Sequence, residues 1–209
     1  MKSYFLLLII CSFSLQSFSQ IKAVTESGDE VVLYHDNTWK YLNDSINNNK
    51  NIITNNHKFE TNKKSTFLVK SKTLKVGVYI NPKKWSFEKN PDTEAAEYSF
   101  QMKNEDLYGM IITEKTQIPL LSLKDLAVEN AKEVAPDIQI DKEEYRYVNG
   151  KKILMIQMSG TTQQIKFKYF SYYYSSDLGV VQLITYTSLN LFKDYEKRME
   201  DFLNGFVEF

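Results

Sequence analysis

The chain has 209 residues, and its 26 Lys and Arg side chains balance 26 Asp and Glu side chains, so its net charge at neutral pH is close to zero. The charges are dispersed, and the longest basic runs are pairs such as Lys63-Lys64, so we expect no nucleic-acid partner. The chain has only seven glycines and no glycine-rich phosphate loop, which argues against a nucleotide-binding fold.

Residues 1–19 have the pattern of a secretory signal peptide. Lys2 supplies a positive charge, residues 4–15 are almost wholly apolar, and small residues at Ser17 and Ser19 precede a predicted cleavage before Gln20. The apolar stretch is shorter than the roughly 20 residues that a membrane-spanning helix needs. We therefore expect a periplasmic or secreted protein with no stable membrane span after signal cleavage.

The single cysteine, Cys11, lies inside this signal. Lipidation there would tether the product to a membrane, but Cys11 follows Ile10, whereas a lipoprotein signal normally has a small residue at that place. We read Cys11 as one more apolar residue of the signal. After cleavage the chain has no cysteine, which excludes disulfides, thiol nucleophiles and thiolate metal sites.

Residues 20–42 predict a small three-stranded β-meander. Short β segments at 21–25, 30–34 and 38–42 are separated by turn sequences at 27–29 and 35–37. Such a unit buries too little apolar surface to be stable alone. Residues 43–66 follow with eight asparagines and predict a flexible linker.

Residues 67–209 are richer in apolar and aromatic residues and predict the main domain. Strands are expected at 74–80, 95–102 and 108–115. From Leu123 to Val134 apolar residues recur at helical spacing and predict a first helix, with Ser122 as its cap, Asp125 as the capping-box acid and Pro136 as its stop.

Two hairpins and a second helix complete the domain. Asn149-Gly150 predicts a two-residue type I′ turn. This turn fixes a register with the pairs Val148 and Lys151, Tyr147 and Lys152, and Tyr145 and Leu154. Segments 165–174 and 180–187 predict the second hairpin, and an apolar stripe from Phe192 to Phe206, capped by Asn190, predicts the closing helix. The result is an α+β fold with a mostly antiparallel sheet of about seven strands and two helices.

This order of elements resembles the PsbP-like fold family over residues 67–209. The resemblance is carried by the turn Asn81-Pro82-Lys83-Lys84-Trp85, the Asn149-Gly150 hairpin, the aromatic hairpin and the C-terminal helix. The family includes an extrinsic subunit of the photosynthetic oxygen-evolving complex, a nuclear-transport factor that binds a small GTPase, and many exported bacterial domains. The resemblance implies an α/β/α sandwich used for binding or scaffolding, generally without enzymatic activity, and it transfers no site residue to this chain.

Residues 28–41 are separately similar to a short hairpin found near the N-terminus of many exported bacterial proteins. Those proteins typically have Asp-Gly-Thr-Trp at the second turn, and Asn37 replaces the glycine here. Asparagine tolerates positive φ better than most residues, so the turn can be kept.

The residues offer little material for catalysis. The two histidines are His35 in a predicted turn and His57 in the predicted linker, so the main domain cannot build a histidine-dependent nucleophile or a histidine zinc site. We expect no enzymatic activity, no cofactor and no metal. Carboxylate-dependent hydrolysis stays open, although exposed acids are usually only solvated. The candidate acids are Asp141 and Glu143 on one strand face, Glu144 on the other, and the group Asp92, Glu94 and Glu97.

The predicted strand at 165–174 has two aromatic faces. The face with Phe167, Tyr169 and Tyr173 is assigned to the core. The other face mixes cations with tyrosines, which suits a ligand-binding or partner-binding surface because tyrosine joins apolar area to a polar tip. The candidate surface patch consists of Lys168, Phe170, Tyr172, Tyr174 and Trp85. Alternatively, a helix covers this face and these side chains only pack beneath it.

These observations favour an exported, non-enzymatic binding or assembly protein that presents a surface to a protein partner in the cell envelope. One alternative is a carrier of a small apolar ligand, held between the sheet and a helix. A carboxylate-dependent hydrolase is a further alternative.

Overall fold

A computed structural model of the chain describes residues 21–24, 30–34, 38–41, 52–89 and 95–209. The predicted signal peptide, with Cys11, and the predicted turns at 27–29 and 35–37 lie outside these residues. The chain divides into two compact units, residues 1–50 and residues 51–209.

The N-terminal unit contains three short strands, β1 (Ile21–Val24), β2 (Glu30–Leu33) and β3 (Trp39–Tyr41). They form an antiparallel sheet in the order β1-β2-β3. Ala23 pairs with Val31, and Leu33 pairs with Trp39. This is the three-stranded meander that the sequence predicts.

The larger unit contains eleven strands and two helices within its described residues. Their bounds are β4 (Thr54–Phe59), β5 (Phe67–Lys70), β6 (Val76–Ile80), β7 (Trp85–Lys89), β8 (Tyr98–Met102), β9 (Tyr108–Glu114), α1 (Leu120–Val134), β10 (Gln139–Val148), β11 (Lys151–Thr162), β12 (Ile165–Ser176), β13 (Gly179–Ser188), α2 (Leu189–Leu203) and β14 (Phe206–Glu208). Eight strands form a large sheet in the order β4-β10-β11-β12-β13-β9-β8-β7, and three form a small sheet in the order β14-β6-β5. The α+β class is therefore confirmed.

The Asn149-Gly150 hairpin has the predicted register. Asn149 and Gly150 have φ angles of 48° and 82°, as a type I′ turn requires. All three predicted residue pairs are present between β10 and β11. The second hairpin joins β12 to β13 and extends to the pair Ser176 and Gly179, so both strands are longer than the pattern indicates.

The predicted linker at 43–66 requires correction, because β4 lies inside it. This strand pairs in parallel with β10 and makes the large sheet mixed. Most β4 side chains are exposed and only Phe59 is buried, as an edge strand allows. Polar composition therefore concealed a strand, and the domain boundary lies near residue 51 instead of residue 66.

The large sheet has a layer packed on each face. Leu123, Ala127 and Ala131 of α1 join one core cluster with residues of β11 and β12. Helix α2 and the small sheet contribute to a second cluster, which includes Phe170 of β12 and Phe202 of α2. The central strands β11 and β12 are thus covered on both sides, which matches the expected α/β/α arrangement.

Both helices begin earlier than predicted. Helix α1 begins at Leu120 after Pro119, and no side-chain hydrogen bond caps it, so the predicted Ser122 cap is wrong. Helix α2 begins at Leu189 after Ser188, which displaces Asn190 from the cap position. It ends at Leu203, and Phe206 lies in β14 paired with Val78. Phe206 is buried as predicted, but a strand positions it.

Candidate functional site

The five residues of the predicted surface patch do not form an exposed surface. Phe170, Tyr172, Tyr174 and Trp85 have exposed fractions of 1%, 2%, 9% and 5%. Lys168 is also largely covered, because its Nζ lies 3.0 Å from Asp141 Oδ2 and 4.7 Å from the centre of the Phe192 ring. The prediction of a binding patch at these positions is therefore wrong, and the alternative of packing beneath a helix is correct.

The burial follows from the place of β12 in the sheet. Both neighbours of β12 are long strands, and α2 and the small sheet cover the face that carries Phe170 and Tyr172. Trp85 joins the same core, with its ring centre 4.4 Å from that of Phe202 in α2. The same packed side chains fill the space between sheet and helix in which an apolar ligand would have to lie, which disfavours the carrier alternative.

The opposite sheet face presents a different row of tyrosines. Tyr169 of β12 pairs with Tyr186 of β13, and Tyr186 pairs with Tyr108 of β9. The ring centres of Tyr108 and Tyr186 lie 5.4 Å apart in a stacked geometry, and those of Tyr169 and Tyr186 lie 6.0 Å apart edge to face. All three side chains are half-buried. Three adjacent strands therefore place an aromatic ladder at the molecular surface.

Three aliphatic residues continue this surface away from the ladder. Ile184 of β13 pairs with Met110 of β9, and Ile112 of β9 pairs with Gln182. Ile184, Met110 and Ile112 are again half-buried, whereas the intervening Ile111 points to the opposite face and is fully buried. We define the tyrosine face as these six residues: Tyr108, Met110, Ile112, Tyr169, Ile184 and Tyr186.

The tyrosine hydroxyls of this face stay protonated over the physiological pH range. Burial raises the pKa of Tyr169 and the pKa of Tyr186 above the usual value. Burial also raises the pKa of Tyr108, with a further contribution from a hydrogen bond to Asp106. The face therefore offers apolar area together with neutral hydroxyl groups that can donate and accept hydrogen bonds.

On the opposite side of the sheet, a buried polar network surrounds Arg146 of β10. Its Nε donates to Glu144 Oε1 at 2.6 Å, and its Nη1 donates to the Tyr172 hydroxyl and to Glu200 Oε1, each at 3.0 Å. The Tyr172 hydroxyl donates to Asn204 Oδ1 at 2.8 Å. The guanidinium also lies 4.3 Å from the centre of the Phe59 ring. Tyr172, predicted to bind a partner, instead holds a core network together.

The charges of this network are stabilised by one another. Burial acts to raise the pKa of Glu144, but hydrogen bonds from Arg146 and Asn55 outweigh it, and the pKa lies below its usual value. Burial acts to lower the pKa of Arg146, while Tyr172 and Glu144 hold that pKa above its usual value. Arg146 and Glu144 are therefore both charged at neutral pH.

The acids considered for hydrolysis are engaged by other groups. Asp141 pairs with Lys168, and Glu143 Oε2 lies 2.7 Å from Lys124 Nζ. Glu97 Oε2 accepts hydrogen bonds from Ser71 and Thr113, each at 2.6 Å. Glu144 belongs to the Arg146 network, and Asp92 and Glu94 lie outside the described residues. Those acids that the structure describes thus have structural partners, which disfavours the hydrolase alternative.

The histidines and the helices of the described residues were compared with the requirements of a metal site and of a membrane span. His57 is exposed in β4, with its ring centre 5.0 Å from that of Phe59, and His35 lies outside the described residues. Over the described residues, no group of three or more His, Cys, Asp or Glu side chains could hold a metal ion. None of the helices in the described ranges is long and apolar enough to cross a membrane.

The architecture is shared with a known protein. The solution structure of cyanobacterial PsbP, CyanoP, from Synechocystis sp. PCC 6803 superimposes with a TM-score of 0.51 over 71% of this chain and 95% of that chain. The fold is PsbP-like. The sequence identity is 10%, so the PsbP-like likeness concerns the fold alone.

A second solved structure is also similar to this chain. It is a protein of unknown function from Pseudomonas aeruginosa, with a TM-score of 0.40 and 12% identity over 63% of this chain and 89% of that chain. No protein-family model and no curated protein matches the sequence. The likeness of this chain to PsbP is therefore a likeness of structure that no sequence match accompanies.

Sequence reasoning missed the tyrosine face because strand alternation separates two faces without telling how far a helix covers each of them. Tyr169 packs against the core cluster of α1, as predicted, but it is only half-buried and also begins the tyrosine face. A signal was present in β9 and β13, where Tyr108, Met110 and Ile112 alternate with other residues, as do Ile184 and Tyr186. The cross-strand row of tyrosines becomes visible only when the order of strands is known.

Proposed function

We propose that this chain is an exported, non-enzymatic binding protein whose tyrosine face docks a protein partner in the cell envelope. The observation that carries this proposal is the continuous set of half-buried tyrosine, isoleucine and methionine side chains on three adjacent strands. Aromatic residues and methionine are enriched in protein interfaces. A tyrosine ladder also loses little side-chain entropy on binding, because each ring has few rotatable bonds.

The rim of the face indicates the chemistry of the partner. Glu88 of β7 pairs with Ser99, which pairs with Met110 of the face. Glu114 of β9 lies two residues beyond Ile112 on the same side of the strand, and both glutamates are exposed. A partner with apolar side chains flanked by Lys or Arg residues would complement this surface.

Export and the absence of catalysis belong to the same proposal. The signal pattern of residues 1–19 supports a periplasmic or secreted location. The acids engaged by lysines and hydroxyl groups support a binding role over hydrolysis. The proposed partner is a protein, and the role requires no cofactor, no nucleic acid and no membrane span.

A pair of matched substitutions tests the docking surface. Ile184→Lys places a cation in the centre of the tyrosine face, whereas Leu178→Lys places one in the exposed turn between β12 and β13, where Leu178 has an exposed fraction of 52%. Each mature protein is expressed in the native host, isolated from its envelope fraction and weighed by native mass spectrometry. We expect a discrete partner with the wild type and with Leu178→Lys, and its loss with Ile184→Lys.

The folded state of both variants is checked by circular dichroism and thermal unfolding. Retention of the same partner by a folded Ile184→Lys protein would contradict the proposed surface. A wild-type protein that is recovered only as a bare monomer after cross-linking in intact cells would contradict the proposed function itself.

A further inference from the structure

A polar cavity lies between β4 and the C-terminal part of α2, on the side of the sheet opposite the tyrosine face. Its volume is about 480 Å³, within the range of roughly 300–1,000 Å³ that is typical of small-molecule sites. Asn55 and Phe59 of β4 line it, together with Arg146 of β10, Glu200 of α2 and Asn204. All of these residues belong to the larger unit.

Two buried side chains in the cavity wall each have a donor nitrogen that makes no hydrogen bond within the described part of the chain. Arg146 has an exposed fraction of 4% and Asn204 of 5%. Arg146 uses Nε and Nη1 for its protein contacts, and Asn204 accepts through Oδ1 and its backbone oxygen. Within the described part of the chain, neither Arg146 Nη2 nor Asn204 Nδ2 donates a hydrogen bond. Both residues line the cavity, and these two nitrogens can donate to a ligand there.

Acceptors line the same cavity beside these donors. Glu200 Oε2 accepts one contact from Lys197 at 3.1 Å, and Asp201 accepts from Lys197 and from Asn62. A carboxylate oxygen has more than one lone pair, so Glu200 and Asp201 can each accept a further hydrogen bond. A suitable ligand therefore both donates and accepts hydrogen bonds at neighbouring atoms.

The positive and negative side chains that line the cavity are equal in number, and this restricts the charge of a ligand. The charged lining residues are three cations and three acids: Lys58, Arg146, Lys197, Glu60, Glu200 and Asp201. An anionic ligand would meet like charges at Glu200 and Asp201, and a cationic ligand would meet Arg146 and Lys197. Hydroxyl groups avoid both kinds of like-charge repulsion, because each hydroxyl is an uncharged donor and acceptor.

We propose that this cavity binds a neutral, polyhydroxylated ligand of the carbohydrate class, with Arg146 Nη2 and Asn204 Nδ2 as donors and Glu200 and Asp201 as acceptors. The ligand is a free sugar or a sugar unit of a glycan. The site is independent of the tyrosine face, since Arg146 hydrogen-bonds Tyr172 and Glu200 on the side of the sheet that α2 covers.

Nuclear magnetic resonance of the mature protein tests the site directly. The side-chain NH signals of Arg146 and Asn204 are followed during separate titrations with glucose, N-acetylglucosamine, a soluble trisaccharide of each and succinate. We expect saturable shifts of both signals with at least one sugar and none with succinate. Binding of a trisaccharide but not of its monosaccharide would assign the site to a glycan.

The variant Asn204→Asp sharpens the test, because it keeps an acceptor for Tyr172 and removes the Nδ2 donor. We expect it to weaken sugar binding about tenfold, which corresponds to the loss of one hydrogen bond. Asn104→Asp, at an exposed turn with a φ angle of 61°, is the matched control and should bind as the wild type does. Wild-type signals that no sugar shifts, or that succinate alone shifts, would overturn the proposal, whether or not Asn204→Asp folds.

Discussion

Arg146 and Glu200 form an ion pair that joins the large sheet to helix α2, with Nη1 and Oε1 3.0 Å apart across 54 positions of the sequence. The same guanidinium binds Glu144, which has a side-chain exposed fraction of 4%. A buried carboxylate without its cation would be costly. The packing of α2 against the sheet therefore depends on Arg146, Glu144 and Glu200 being ionised.

The first prediction concerns pH. In Glu144 the folded-state pKa lies below the ordinary value of 4.5, because the bonds from Arg146 and Asn55 outweigh burial. Such a carboxylate contributes stability that is fully present above the unfolded-state pKa and is lost as the pH falls through the folded-state pKa. We expect the free energy of unfolding of the wild type to exceed that of Glu144→Gln by a constant amount near neutral pH.

That difference should shrink as the pH falls below 4.5. Urea titrations of both proteins at a series of pH values measure it, and the subtraction removes the contributions of other acids that the two proteins share. A difference that stays constant down to the acid limit of the native state would contradict the stated role of the Arg146 and Glu144 pair.

The second prediction concerns Tyr172, which is buried beneath α2. Tyr172→Ala removes a ring with an exposed fraction of 2%, and it also breaks hydrogen bonds to Arg146 and Asn204. We expect a loss of about 3–5 kcal/mol in the free energy of unfolding, as for other buried aromatic side chains. Chemical denaturation measures this loss.

Tyr147→Ala is the matched control for Tyr172→Ala, because Tyr147 lies in β10 with an exposed fraction of 45%. Its effect should stay within about 1 kcal/mol, as is usual for exposed positions. Equal stability of the Tyr172→Ala protein and the wild type would mean that the face of β12 covered by α2 is not a core.

The third prediction separates the two roles of Asn149. Its φ angle of 48° serves the hairpin turn, and its Nδ2 donates to the backbone oxygens of Asn204 and Phe206 at 2.9 and 2.7 Å. Its Oδ1 accepts from the Thr61 backbone at 3.0 Å. One side chain thus fastens the segment after β4 and the end of α2 to the hairpin.

Asn149→Gly keeps the positive φ and removes these side-chain bonds, so we expect a loss of about 2–3 kcal/mol in the free energy of unfolding. Asn149→Ala should lose about 1 kcal/mol more, because alanine also resists positive φ. Denaturant midpoints of the two variants measure both terms. A glycine variant as stable as the wild type would show that only the turn conformation matters at this position.

The sequence predicts those parts of the fold that depend on nearby residues. The Asn149-Gly150 turn determines its own register, so each predicted pair around it is present. The meander is local in the same sense, since each of its strands pairs with the next one along the chain. The order of elements was also enough to indicate the PsbP-like fold.

Long-range pairing explains what the sequence could not predict. Strand β4 gains its stability from β10, about 90 residues later, and its asparagines are typical of a linker when read alone. Likewise, Arg146 is one cation among many until α2 brings Glu200 and Asn204 to it. The tyrosine face also depends on the neighbours of β12, because the sequence of a single strand does not predict where a helix will cover it.

Site-specific photo-cross-linking tests the central claim, that the tyrosine face docks a protein. Met110 is replaced by the photoreactive residue benzoylphenylalanine in the native host, with the same replacement at Leu178 as a control. We predict a discrete protein adduct from position 110, none from position 178, and loss of the adduct when Ile184→Lys is added. No adduct from position 110, or the same adduct from position 178, would contradict the account.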